Sequence, residues 1–191
     1  TLPGKGTLKD DGTEIESGDL PHTLSSAKAT YTPELHYNGA DSYTFKVNDG
    51  NGDSAAAATI SITVNPINDL PVATPDSVTT DEDTAKEITH AGTDIDLDAL
   101  TYIIVTLPGK GTLKDDGTEI ESGDLPHTLS SAKATYTPKS LYNGDDSYTF
   151  KANDGTVNST DAATVSIKIT EYNNPPTADD QTITDLAEQT P

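Results

Sequence analysis

Apolar and polar residues alternate along several short segments of this chain. Residues 164–170 (TVSIKIT) and 58–64 (ATISITV) place an aliphatic side chain at every second position, and residues 147–152 (SYTFKA) and 43–47 (YTFKV) do the same with aromatic ones. A period of two puts all the apolar side chains on one face of an extended strand. These four segments are therefore predicted to be half-buried core strands.

Other segments predict further strands. They are short, rich in Thr, Ile, Val and Tyr, and bounded by Gly, Asn, Asp and Pro, which favour turns. No segment shows the apolar spacing of a long amphipathic helix. The additional predicted strands are 77–80, 85–90, 100–106, 111–113 with 118–121, and 128–136. Roughly seven strands in about 100 residues are typical of an immunoglobulin-like β-sandwich, so we expect an all-β fold.

The chain contains an internal repeat. Residues 1–33 recur letter for letter as 106–138, and a weaker match continues at the same offset. A repeat of about 100 residues has the size of an independently folding domain and indicates a tandem array. We expect residues 1–67 to be the C-terminal part of a repeat, whose opening third has no counterpart upstream. Residues 68–172 would be a complete repeat, and residues 173–191 the start of a third.

Composition narrows the class of function. The chain has 32 acidic residues against 11 basic ones, a net charge of −21, and no Cys, Met or Trp. Without cysteine there is no disulfide or thiol chemistry, and the acidic surface repels nucleic acid and anionic lipid. No apolar run is long enough to cross a bilayer. An extracellular location, on a bacterial cell surface or secreted, is favoured.

One acidic segment suggests a cation site. Residues 94–98 (DIDLD) lie in a predicted loop and alternate Asp with apolar residues, so several oxygens could surround a hard cation such as Ca²⁺. The segment is not an EF-hand, because Ala99 and Val105 stand at its sixth and twelfth positions. Further oxygen ligands must come from elsewhere. Acidic and amide residues also cluster at 68–69, 143–146 and 153–155.

The same acidic residues fit two simpler roles that need no cation. Asp and Asn are common turn formers in all-β proteins, so each cluster could serve its turn alone. The overall acidity could also be a solubility surface for a salt-rich environment, where short screening lengths weaken self-repulsion. Both roles stay open on the sequence alone.

The order of the motifs resembles a known family. Together they look like a bacterial cadherin-like repeat, of the kind found in tandem in large, RTX-type secreted surface adhesins. The resemblance covers the complete repeat and both partial ones. The motifs are 81–84 (DEDT), 93–100 (TDIDLDAL), 109–113 (GKGTL), 142–148 (YNGDDSY), 153–155 (NDG) and 173–176 (NNPP).

This resemblance implies tandem immunoglobulin/cadherin-like modules with a calcium site at each junction. For the first junction the implied ligands are Asp41, Asn68, Asp69, Asp94, Asp96 and Asp154, with Asp98 in the same loop. For the second they are Glu82, Asp146, Asn173 and Asn174. Asn174 stands where the first junction has Asp69, so the second site has one negative charge fewer and should bind more weakly.

The repeat and the resemblance predict a structural role. We expect a calcium-stiffened extender of a bacterial surface adhesin, contributing to cell adhesion or biofilm, with neighbouring identical repeats as its partners. An enzyme is not expected, because no Ser-His-Asp or His-metal spacing occurs, and residues 108–112 (PGKGT) lack the spacing of a phosphate-binding loop.

Two binding roles remain as alternatives. A carbohydrate-binding module would need exposed aromatic side chains, for which Tyr31 with Tyr136, or Tyr37 with Tyr142, are the candidates. Homophilic binding between cells would use the repeated faces of the modules themselves. Cell-surface glycans and other copies of the chain are therefore the possible external partners.

Overall fold

A computed structural model describes residues 1–173, which divide into two compact units. The first unit contains Thr1–Pro71 together with Asp94–Ala99. The second contains Val72–Thr93 and the described residues from Leu100 onward. The repeat boundaries expected from the sequence stay a prediction, and the proposed third repeat lies outside the described residues except for Asn173, so Asn174 has no structural account.

The first unit contains two small antiparallel sheets. One has the order β2-β1-β3, and the other pairs β4 with β5 along their whole length. The strands are β1 (Gly6–Asp10), β2 (Thr13–Glu14), β3 (Thr30–Pro33), β4 (Gly39–Phe45) and β5 (Ala58–Val64). Asp11 and Gly12 join β1 to β2 with positive φ angles of 46° and 83°, as a two-residue hairpin turn requires.

The second unit contains a five-stranded and a four-stranded sheet, with a short additional pair, β6-β9. The five-stranded sheet has the order β13-β10-β15-β16-β7, with β7 parallel to β16, and the other has the order β12-β11-β14-β8. The strands are β6 (Val72–Thr74), β7 (Asp76–Asp81), β8 (Lys86–Thr89), β9 (Ala91–Thr93), β10 (Thr101–Thr106), β11 (Gly111–Asp115), β12 (Thr118–Glu119), β13 (His127–Thr128), β14 (Lys133–Pro138), β15 (Gly144–Asn153) and β16 (Ala163–Thr170).

Side chains from both large sheets form one hydrophobic core in the second unit. Along β16 every second residue is buried, and Tyr148, Phe150 and Ala152 on β15 follow the same rule. Leu113 and Tyr136 contribute from the other sheet. The predicted all-β immunoglobulin-like sandwich is thereby confirmed.

Two of the strand predictions need adjustment. The segment predicted as one strand over 128–136 is divided into β13 and β14, because the backbone N–H and hydroxyl of Ser130 bond Asp115 instead of a neighbouring strand. The short pair β6-β9 was not predicted, because three-residue strands such as Ala91–Thr93 are too short to show alternation. Within residues 1–173 no helix is long and apolar enough to span a membrane.

A histidine lies inside the core of the second unit. The Nδ1 of His90 is 3.0 Å from the carbonyl oxygen of Ala132, which can only accept, so Nδ1 carries the proton. Its Nε2 then accepts a hydrogen bond of 2.9 Å from the Tyr148 hydroxyl. The ring also packs edge-on against Phe150, with centroids 4.6 Å apart. Both nitrogens are therefore satisfied in the neutral form.

We expect this histidine to make the second unit sensitive to acid. Burial lowers the pKa of His90 below its ordinary value, although the bond to Ala132 and the charge of Asp76 oppose the shift. Below about pH 6.5 the unfolded chain therefore binds this proton more readily than the folded chain, and stability falls. Between about pH 7 and about pH 5, the free energy of unfolding measured with urea should fall less for His90→Leu than for the unaltered chain. Equal slopes would contradict the expectation, since the other three histidines are common to both proteins.

Candidate metal centre

Three aspartates come together in the loop that follows β9. One carboxylate oxygen from each of Asp94, Asp96 and Asp98 lies within 4.8 Å of the other two. Oδ1 of Asp94 accepts the backbone N–H groups of Asp96 at 2.9 Å and of Asp98 at 3.3 Å. These bonds curl the loop round the first carboxylate, and Leu97 completes the turn with a φ of 64°.

The second oxygen of Asp94 has no hydrogen-bond partner. Oδ2 is buried, and no donor among the described residues reaches it. A buried carboxylate oxygen without a partner costs free energy, because it has left water and gained nothing in exchange. A hard cation would supply the missing interaction and would offset the repulsion among three neighbouring carboxylates. The donor set, which consists of oxygens alone, therefore fits Ca²⁺.

The segment before β6 is attached to this loop. The backbone N–H of Asp69 donates to Oδ2 of Asp96 at 2.7 Å, and the Asp69 carboxylate lies 2.8 Å from Nδ1 of His36. The side-chain amide of Asn68 donates to the Asp69 carbonyl at 2.8 Å. The structure thus brings Asp69, Asp94, Asp96 and Asp98 into one neighbourhood within the first unit.

Asp41 and Asp146 were also predicted as ligands. In the structure each of them fixes one loop of its own unit. Each carboxylate accepts four hydrogen bonds of 2.8 to 2.9 Å, and their metal role stays a prediction. For Asp146 the donors are the N–H groups of Gly109, Lys110 and Ser147 and the hydroxyl of Tyr136; for Asp41 they are those of Gly4, Lys5 and Ser42 and the hydroxyl of Tyr31.

These hydrogen bonds affect the ionisation of the groups involved. Desolvation by burial would raise the pKa of Asp41, but the four donors outweigh it and hold that pKa below its ordinary value. Burial and the neighbouring Asp41 charge raise the pKa of Tyr31 to about 12. Burial and Asp146 raise the pKa of Tyr136 as well. Asp41 is therefore held as a carboxylate.

The loop over residues 108–112 is shaped by this contact. Two successive backbone N–H groups, of Gly109 and Lys110, point at one anion, which is the carboxylate of Asp146. A Cβ on Gly111 would lie 2.3 Å from the Tyr136 ring, so only glycine fits there. The two backbone donors of this segment therefore bind the protein's own aspartate.

Of the remaining predicted ligands, two are buried and accept backbone hydrogen bonds, and the third is exposed. Glu82 is buried, and its Oε1 accepts the N–H of Tyr172 at 3.3 Å. Asp154 is buried, and its Oδ1 accepts the N–H groups of Thr156 and Val157 at 2.7 Å. Asn173 is exposed. For these residues the metal assignment stays a prediction.

Sequence reasoning missed a cluster of an aspartate, a histidine and a serine that occurs once in each unit. Asp115 accepts the N–H and hydroxyl of Ser130, at 2.9 and 2.6 Å, and lies 2.9 Å from Nε2 of His127. Burial would raise the pKa of Asp115, but these donors hold it below its ordinary value. The aspartate stands between the histidine and the serine, so the histidine cannot activate the hydroxyl as in a catalytic triad. The exact repetition of Asp10, His22 and Ser25 was the signal that could have found it.

The tyrosines proposed as a sugar platform differ in exposure. Tyr136 is fully buried, so it presents no surface to a ligand. Tyr142 is half-buried, its hydroxyl donates to the Asp145 carbonyl at 3.0 Å, and Nζ of Lys110 lies 5.7 Å from its ring centroid. Tyr37 and Lys5 repeat this cation–π contact at 5.9 Å in the first unit.

Comparison with known proteins assigns most of the chain to one domain type. Residues 6–63 and 68–168 match the family model described as "Bacterial Ig domain". One curated relative is "Integrin beta-like protein E" of Dictyostelium discoideum, which is 27% identical over 203 residues. The match covers 96% of this chain but 10% of that protein, so the chain spans a tenth of the relative's length.

Solved structures that resemble this chain match it with low TM-scores. The surface layer protein SbsC, domains 1–6, matches 89% of this chain and 20% of its own, with a TM-score of 0.39 and 14% identity. The endo-fucoidan hydrolase MfFcnA4, from glycoside hydrolase family 107, matches 75% of this chain and 20% of its own, with a TM-score of 0.39 and 24% identity. These scores are too low to bear on function.

Proposed function

Because this chain belongs to the bacterial Ig domain family, we propose that it is a calcium-stiffened extender of a bacterial surface adhesin. In this role a series of Ig modules holds a binding domain at a distance from the cell, and the chain itself performs no catalysis. Its location is extracellular, and its immediate partners are neighbouring repeats of the same protein. Adhesion or biofilm formation would be the cellular result.

The buried, partnerless Oδ2 of Asp94 is the observation that supports the calcium part most directly. It lies in a cluster with Asp96 and Asp98, whose oxygens are the ligand type that Ca²⁺ prefers. Asp69 would complete the set, because its backbone is already bonded to Asp96. A bound ion would supply two positive charges at the point where these carboxylates repel one another.

Stiffening would follow from where these residues lie along the chain. Residues 64–67 separate the two family-matched segments, and Asp69 is the second residue after them. Asp94, Asp96 and Asp98 belong by sequence to the second matched segment, 68–168. An ion that binds Asp69 and this loop together would restrict the backbone that joins the segments, which Pro66 and Pro71 already limit.

The adhesin part of the proposal draws on different observations. Identical copies of residues 1–33 and 106–138 suit a spacer, whose task depends on length and not on sequence diversity. The net charge of −21 is compatible with solubility outside the cell. The match to the integrin beta-like protein covers only a tenth of that protein, and it agrees with a role in attachment.

We predict that calcium raises the melting temperature of the chain and that EDTA reverses the change. At a Ca²⁺ concentration about 100-fold above Kd, mass action stabilises the folded form by roughly 2.7 kcal/mol. Asp96→Asn should abolish most of this gain, because it removes one charge from the cluster. Asp116→Asn is the matched control, since it removes the same charge from an exposed hairpin turn of the second unit and should keep the full response. An equal response in both variants would contradict the assigned site.

Stiffness requires a separate measurement. Amide ¹⁵N relaxation should show that residues 67–70 and 94–99 lose fast motion when Ca²⁺ is added, with no such change in Asp96→Asn. Mg²⁺ at the same concentration should have a smaller effect, since it demands tighter octahedral geometry. Thermal stabilisation without a change in relaxation would support calcium binding by the module but would contradict the proposed stiffening.

A further inference from the structure

The outer face of the five-stranded sheet carries rows of short hydroxyl side chains. On β15, β16 and β7 the residues that alternate with the buried ones lie on this face, which we call the hydroxyl face. Register partners on adjacent strands form one row of three serines and one of three threonines. The rows are Ser77, Ser166 and Ser147, and Thr164, Thr149 and Thr106. Such short side chains allow a second flat surface to approach closely.

Four charged residues border these rows, and their charges cancel. Asp145 and Lys168 are register partners whose side chains form an ion pair at 3.2 Å. Asp81 ends β7, and Lys151 lies near the end of β15, where its Nζ donates to the Thr160 carbonyl. Two copies of a chain with a net charge of −21 repel one another, so a face without net charge is where they can approach most closely.

The order of residues along β15 makes the hydroxyl face complementary to itself. The outward residues of this strand are, in sequence, Asp145, Ser147, Thr149 and Lys151. In a two-fold arrangement the β15 strands of two copies run antiparallel, so each Asp145 faces the Lys151 of the other copy and each Ser147 faces a Thr149. The Asp145 side chain is 83% exposed, so it can interact with a second copy while it keeps Lys168.

Two comparable strands lack this order. On the other sheet of the second unit, β14 has Lys133 at the start of its outward side and only threonines after it. In the first unit Ala40 stands at the position of Asp145, so the outward side of β4 has no acid to face Lys46. Antiparallel stacking of either strand on its own copy would therefore join no opposite charges.

We propose that the hydroxyl face of the second unit binds the same face of a second copy of this chain, with the two β15 strands antiparallel. Opposite charges meet at both ends of the contact, and hydroxyl groups, which both donate and accept hydrogen bonds, meet between them. The partner is another molecule, and none of the contacts involves the candidate metal centre. The pairing is therefore independent of calcium.

The size of the face indicates a weak contact. Four outward residues along β15 span about 20 Å, and the three strands together are about 15 Å wide. The roughly 300 Å² that each copy offers is well below the roughly 800 Å² per partner of a stable complex, so we expect a dissociation constant on the order of 1 mM. In an array of many such modules the contact would be repeated, and side-by-side chains would gain avidity from the repetition.

The test compares the whole ¹⁵N-labelled chain with two charge-reversed variants, Asp145→Lys and Lys151→Asp, all in EDTA. In the unaltered chain the amide resonances of β7, β15 and β16 should shift between about 0.05 and about 1 mM protein, while those of β4 stay constant. Each variant alone opposes like charges at both symmetric contacts, so its self-association should be about 10-fold weaker. An equimolar mixture of the two variants should associate again, because both contacts then join opposite charges.

Asp116→Lys is the matched control. It changes the net charge as Asp145→Lys does, but in an exposed hairpin turn that does not belong to the hydroxyl face, so it should associate like the unaltered chain. Three results would overturn the proposal. They are resonances of the unaltered chain that do not depend on concentration, self-association that persists in both charge-reversed variants, and a mixture of these variants that associates no better than either alone.

Discussion

Replacing Phe150 with alanine should lower the free energy of unfolding of the second unit by about 3–5 kcal/mol. Phe150 is 0% exposed and packs edge-on against both His90 and Tyr102, with ring centroids 4.6 and 5.9 Å apart. Removing its ring loses the transfer free energy of that surface and leaves a cavity that the two sheets cannot close. Urea unfolding, followed through the amide resonances of β16, measures the change.

Phe45→Ala provides the matched control, since Phe45 has the corresponding position in the first unit. Its side chain is 38% exposed, so a large part of its apolar surface is in water already. We expect a loss of about 1 kcal/mol for this substitution. Equal losses for the two variants would contradict the expectation that the cost follows the burial of the ring.

Asp146→Ala is expected to destabilise the second unit by about 2–4 kcal/mol. The substitution removes the acceptor of four hydrogen bonds at once and leaves the buried Tyr136 hydroxyl and the N–H groups of Gly109 and Lys110 without it. Most of the loss comes from Tyr136, because a buried hydroxyl without an acceptor costs more free energy than an exposed N–H group that can bond water. The same urea experiment measures it, with hydrogen exchange at Gly109 and Lys110 as a local readout.

The neighbouring Asp145→Ala variant is the control for charge. The Asp145 side chain is 83% exposed, and its one ion pair, with Lys168 at 3.2 Å, joins two solvated groups. We expect a change of roughly 0.5 kcal/mol or less. Comparable effects at Asp145 and Asp146 would show that the loop contact is unimportant. If Asp146→Ala also removed the calcium response, Asp146 would gain support as a ligand in addition to its structural role.

The two units show how far local sequence determines local structure. Residues 1–33 and 106–138 are identical, and they form the same hairpin, with φ angles of 46° and 45° at Asp11 and Asp116. They also form the same bonds from aspartate to histidine and serine. These contacts join residues at most 15 positions apart, so each unit contains all the partners they need.

The candidate metal centre could be predicted only in part. Alternating Asp residues at 94–98 indicated an oxygen-rich loop, and the structure brings their carboxylates together. The bond from Asp69 to Asp96 spans 27 positions, and no local pattern indicates it. For Asp41 and Asp146 the sequence shows the acids but not the donors that they bind, and their predicted metal role stays a prediction. Their partners Gly4 and Gly109 lie 37 positions away.

The sequence by itself determined the strand alternation, the repeat, the hairpin turns and the acidic loop, because each depends on residues near one another along the chain. Only the tertiary structure decided that Phe150 is buried while Phe45 is open, and that Asp146 holds a loop while Asp94 retains an unmatched oxygen. The physical reason is that burial and hydrogen bonding at these sites depend on distant strands. The same residue type therefore differs in burial and in hydrogen bonding from one position to another.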